Sequence, residues 1–121
     1  PLATTAGLTT LDVIANEKLR ENAQKMGDLI NQLIKDAFKN EAGVKVVRNA
    51  GLMVGIELDR PCSELVKMAL EAHLLINVTA EKVVRLLPPL VISEHEVREL
   101  VSRLAPLIMR FLHAQPLTKV A

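Results

Sequence analysis

This 121-residue chain has no tryptophan, no tyrosine and only two phenylalanines, so it offers almost no aromatic surface on which bases could stack. Single-stranded nucleic-acid platforms depend on such stacking, and neither Phe38 nor Phe111 falls on a predicted strand. Charge of one sign is lacking too. Fifteen Lys and Arg face fourteen Asp and Glu, a formal net charge of +1, and they are scattered rather than gathered into a basic stripe, which argues against nucleic-acid binding. Long apolar runs are missing: Leu86 to Ile92 is seven residues with two prolines, against the roughly 20 that a bilayer span requires. The single cysteine, Cys62, cannot close an internal disulfide, and no basic segment followed by an apolar run stands at the N-terminus. No membrane partner and a reducing, cytoplasmic setting are therefore expected. His73, His95 and His113 are too far apart for a metal-ligand pair one helical turn apart, and no metal site is expected.

What is present is 50% apolar residues, enough for one modest core, and a periodicity that changes along the chain. Leu2 to Ile14 gives a weak helical pattern. Leu19, Ala23, Met26, Ile30, Leu33 and Ala37 recur at spacings of four and three, which predicts a long amphipathic helix capped by Asn16 and followed by Gly43. Lys18, Glu21, Lys25, Asp28, Asn31 and Lys35 form its solvated face. From Val44 the period becomes two: Val44, Val46 and Val47 precede a turn at Arg48 to Gly51, then Leu52, Val54, Ile56 and Leu58 alternate with Met53, Gly55 and Glu57. Pro61 suits a helix start, and Ser63 to Ala72 reads as a short helix with Leu65, Val66, Ala69 and Leu70 inward. Leu74 to Val78 reads as a short buried strand, Thr79 to Glu81 as a turn, and Lys82 to Leu86 as a strand ended by Pro88 and Pro89. Ser93 and Glu96 fit a capping box ahead of a helix marked by Val97, Leu100, Leu104, Leu107 and Phe111, in which Pro106 should cause a kink or loosen one hydrogen bond. That order predicts an α/β (α+β) sandwich, a small mainly antiparallel sheet with helices on one face. Strand order is left open.

Few residues carry chemistry. Gly51 and Gly55 are not spaced as a phosphate loop and read as a turn and a close backbone approach. Cys62 near a helix start reads as packing rather than as a reactive thiolate. Arg85 stands out, near a strand end and before the stiff apolar run Leu86-Leu87-Pro88-Pro89-Leu90. Held by its strand and partly desolvated, its guanidinium either pairs with a carboxylate of its own protein or waits for a ligand's carboxylate or phosphate.

Three ordered blocks carry a resemblance: Val84-Arg85-Leu86-Leu87-Pro88-Pro89-Leu90, Gly51-Leu52-Met53-Val54-Gly55-Ile56-Glu57-Leu58, and Leu74-Leu75-Ile76-Asn77-Val78-Thr79. Together, and extended from Pro1-Leu2-Ala3 to Phe111, they resemble the C-terminal part of class III aminotransferases that depend on pyridoxal phosphate. The resemblance implies the small domain of a fold-type I enzyme, with connecting and long amphipathic helices over residues 1–40 and the α/β domain over 41–121. It implies that Arg85 binds the substrate's α-carboxylate, and that the Schiff-base lysine and the groups holding pyridoxal 5'-phosphate lie in a large domain outside this chain, so that the chain alone is inactive. Amino transfer from N-acetylornithine to 2-oxoglutarate, with succinylornithine, 4-aminobutyrate or ornithine as alternative donors, is the implied reaction, and a homodimer the implied assembly. A free-standing interaction module of the same fold is the competing expectation. Asn49 and His73 stand where the family commonly has glycine, and both types tolerate positive φ.

Overall fold

A computed structural model describes residues 1–114. Eight elements follow in order: α1 (Leu2–Asn16), α2 (Leu19–Ala37), β1 (Val44–Ala50), β2 (Met53–Leu58), α3 (Glu64–Glu71), β3 (Asn77–Thr79), β4 (Val83–Leu86) and α4 (Glu94–His113). The sheet has the order β1-β2-β4-β3, and every neighbouring pair is antiparallel. The expected mixed architecture with an antiparallel sheet is therefore present.

Alternation along β2 and β4 sends Val54, Ile56, Leu58, Val84 and Leu86 into one core with Ile30 and Ile34 of α2, Leu65 and Ala69 of α3, and Val97, Leu104 and Ile108 of α4. An irregularity between Val44 and Val46 adds a residue to β1. Val44 and Val47, three apart, thereby both pack on the core. Cys62 is fully buried, and burial pushes its thiol pKa up, which fits packing and removes the reactive-thiolate alternative.

Local chemistry explains the boundaries. Ser93 Oγ accepts the Glu96 N–H at 3.2 Å while Ser93 N–H donates to Glu96 Oε2 at 2.8 Å, the expected reciprocal cap of α4. Helix α4 runs on past Pro106 rather than ending there. At the end of α3, His73 N–H donates to Leu70 O at 3.0 Å and Leu74 N–H to Ala69 O at 2.9 Å, the paired bonds of a Schellman motif. Its left-handed position is filled by His73, with φ 56°.

Several expectations are corrected. Asn16 does not cap α2; it ends α1, and the break is made by Lys18 with φ 52°. The buried face of α2 turns to Ile34 and Phe38, with Leu33 half-buried and Ala37 exposed, because a 3.6-residue period drifts across a strict four-three pattern. The β1–β2 turn is tighter than expected. Strand β1 continues to Ala50, which pairs with Met53, and Gly51 takes φ 55°, as primed hairpin turns require. Asn49 does not take positive φ; it is a strand residue paired with Val54. Its amide binds α2 instead, donating to Asp28 Oδ1 at 3.1 Å and accepting from Asn31 Nδ2 at 2.7 Å, so those two residues are not simply solvated. Val66 and Leu70 of α3 are exposed, an eight-residue helix having room for one inward stripe. Leu74 to Val78 is not a buried strand: β3 is a three-residue edge strand, and Leu75 lies 86% exposed.

Candidate functional site

Residues directly opposite one another on neighbouring strands project to the same face. Arg48 pairs with Gly55, Gly55 with Arg85, and Arg85 with Asn77, so one row crosses the sheet as Arg48, Gly55, Arg85, Asn77. Val84 and Leu86 flank Arg85 and face the core. The row therefore lies on the other face, opposite α2, α3 and α4. A groove of about 320 Å³ opens over it, lined among others by Gly55, Val83, Arg48, Met53, Thr79 and Arg85.

The two arginines differ in charge balance. Arg48 Nη1 donates to Glu57 Oε2 at 3.0 Å, which neutralises it. Arg85 forms no ion pair among the described residues. It is exposed, so the expected partial desolvation is corrected: alternation sends the side chain out over the open sheet face while Leu86 goes inward. Its backbone is still fixed by pairing on both sides. Of the two readings of Arg85, an internal ion pair has no partner among the described residues, and a planar fork of donors on a rigid strand can receive a carboxylate or phosphate.

The groove does not fit pyridoxal phosphate by itself, because neither a lysine nor a carboxylate lines it. No group of three or more His, Cys, Asp or Glu among the described residues could hold a metal. His113 instead meets Glu41, Nε2 to Oε2 at 2.6 Å, at the far end of α4. Arg60 grips Asp59 and donates to Leu112 O at 3.2 Å. Asn22 donates to Leu90 O at 2.7 Å and Ile92 O at 3.0 Å, tying the apolar loop after Arg85 to α2. The sequence singles out Gly55 but not its place beside Arg85, since the alternation of Met53, Gly55 and Glu57 does not reveal the partner strand.

The family model for class-III aminotransferases matches residues 1–108, and the chain belongs to that family. Its relatives include acetylornithine aminotransferase 1 of Bordetella pertussis, 50% identical over 95% of this chain but only 29% of that protein. Among solved structures, acetylornithine aminotransferase from Elizabethkingia anophelis superimposes with a TM-score of 0.85 at 32% identity, covering 92% of this chain and 30% of that one. An ornithine aminotransferase from Toxoplasma gondii, described with partial occupancy of PLP at its active site, gives 0.83 at 26% identity over 90% of this chain and 27% of that one. The chain thus spans under a third of the length of these relatives. Aminotransferases of this class use pyridoxal phosphate.

Proposed function

We propose that this chain is the small C-terminal domain of a pyridoxal-phosphate-dependent aminotransferase that moves the amino group of N-acetylornithine to 2-oxoglutarate, as a cytoplasmic homodimer in arginine biosynthesis. Residues 1–40 are its connecting helices and 41–121 the small domain, of which 115–121 lie outside the described residues. The reading is supported by family membership and by the names of the relatives. Ornithine remains a second donor because an ornithine aminotransferase shares the fold.

The observation that carries the site is the guanidinium of Arg85, which has no ion-pair partner among the described residues and whose strand is held by β2 on one side and β3 on the other. In the proposed enzyme it forms two parallel hydrogen bonds to the α-carboxylate of 2-oxoglutarate or glutamate, and so presents the adjoining carbon for reaction. Pyridoxal phosphate, held by a large domain outside this chain, supplies the electron sink. No residue of the groove holds it, and the chain alone is inactive.

Arg85→Lys tests this in the enzyme carrying the chain. The charge remains and the fork is lost, so kcat/KM should fall roughly 10- to 150-fold for 2-oxoglutarate, and for glutamate in the reverse direction, whose reacting carbon bears the α-carboxylate. An amine without a carboxylate should be affected much less. Equal losses on carboxylated and uncarboxylated substrates, together with a lowered melting temperature, would show that Arg85 is structural.

A further inference from the structure

Glycine at position 55 is unexplained by the fold, and the close backbone approach expected there is corrected, since no backbone atom crowds it. It lies in the middle of β2, paired on both sides, where glycine weakens a strand because it loses more conformational freedom and packs nothing. Two ordinary reasons for accepting that weakness are absent. The first is backbone conformation: Gly51 is the glycine with positive φ, and Gly55 has none. The second is crowding. A Cβ built on Gly55 would meet Val83 Cγ1 at 3.4 Å and Arg48 Cγ and Nε at 3.8 Å, which are ordinary van der Waals contacts with side chains that yield. Gly27 shows the contrast, since a Cβ there would lie 1.8 Å from Gly51 O. The fold needs glycine at 27 and does not need it at 55.

The position of Gly55 supplies a reason from outside the chain. It lines the groove, directly between Arg48 and Arg85 in the cross-strand row. Arg48 is neutralised by Glu57, so Arg85 provides the charge that an anion would seek. We infer that Gly55 is a specificity-determining residue: its missing side chain lets the α-carboxylate of an amino acid or oxo acid lie flat on the sheet against Arg85. A methyl group at this place would stand in the groove and lift the carboxylate out of the plane of the fork.

The inference rests on the reading of Arg85 as the carboxylate anchor, and the experiment separates the two. Gly55→Ala, Gly55→Val and Arg85→Lys are compared in the intact, cofactor-loaded enzyme, measuring melting temperature and kcat/KM for an amino acid, an oxo acid and an amine lacking a carboxylate. Gly55→Ala should leave the melting temperature equal or higher and lower kcat/KM for carboxylated substrates at least about 10-fold, since a misplacement near 1 Å costs on the order of 10²-fold. Gly55→Val should lose more, and the uncarboxylated amine should be spared. A lowered melting temperature in Gly55→Ala would show that the fold requires the glycine and would overturn the inference, as would unchanged kinetics while Arg85→Lys shows its selective loss. If Arg85→Lys fails to discriminate between substrates, the anchor reading itself falls.

Discussion

A methyl group added at Gly27 would sit 1.8 Å from the carbonyl oxygen of Gly51 and 2.5 Å from its carbonyl carbon, and neither is a flexible side-chain end. Helix α2 therefore lies directly on the β1–β2 turn, with the Asn49 amide bridging Asp28, Asn31 and Gly51 O beside the contact. Gly27→Ala should destabilise the protein by about 1–3 kcal/mol, as overpacking does, despite the gain of up to about 1 kcal/mol in helix propensity. Thermal melting should show a fall of several degrees; an unchanged or raised melting temperature would mean that α2 and the turn are not in contact. The sequence does not announce Gly27, because a glycine inside an amphipathic helix looks only like a weak point. His73 was legible, since its type tolerates positive φ, and the Schellman bonds show why that φ is needed. Asn49 has the same tolerance and a different use, which depends on a helix eighteen residues earlier that no local pattern reveals.

At the scale of elements, legibility follows range. The cap of α4 could be read from Ser93 and Glu96 because both partners lie within one turn. Hydrogen bonds from the backbone and side chain of Ser93 hold the Glu96 carboxyl below its usual pKa. A depressed carboxylate stabilises the fold above its unfolded pKa, and that contribution is lost as pH falls through the folded value. Glu96→Gln keeps the acceptor and removes the charge at the helix N-terminus, so it should melt below wild type at pH 7. The gap should close as pH drops under about 4. Ser93→Ala should cost about 1 kcal/mol at pH 7. If the Glu96→Gln gap persists unchanged to pH 3, the charge is not what stabilises the cap. By contrast β3 was overread: Leu74-Leu75-Ile76-Asn77-Val78 has the composition of a core strand, and nothing local distinguishes the centre of a sheet from its edge.

At the scale of the whole molecule, strand order is the part least available to sequence, because β2 and β4 pair across α3 and β3 and the register joining Gly55 to Arg85 has no local signature. Arg85 itself was recognisable from its charge beside an apolar run, and its setting as an open row on the sheet was not. The same long-range logic bears on α1, which touches α2 and buries none of its fifteen residues. Leu2, Leu8 and Leu11 are 88%, 62% and 64% exposed. Soluble monomers seldom leave contiguous apolar surface open. In the proposed enzyme α1 is covered by the large domain, so the chain produced alone should self-associate or bind a hydrophobic dye. Leu8→Lys and Leu11→Lys together should reduce both effects without lowering the melting temperature, because neither side chain contributes to the core. Sedimentation of the unmodified chain as a monodisperse monomer at high concentration, with no dye bound, would show that α1 needs no cover and would favour a free-standing module over part of a larger aminotransferase.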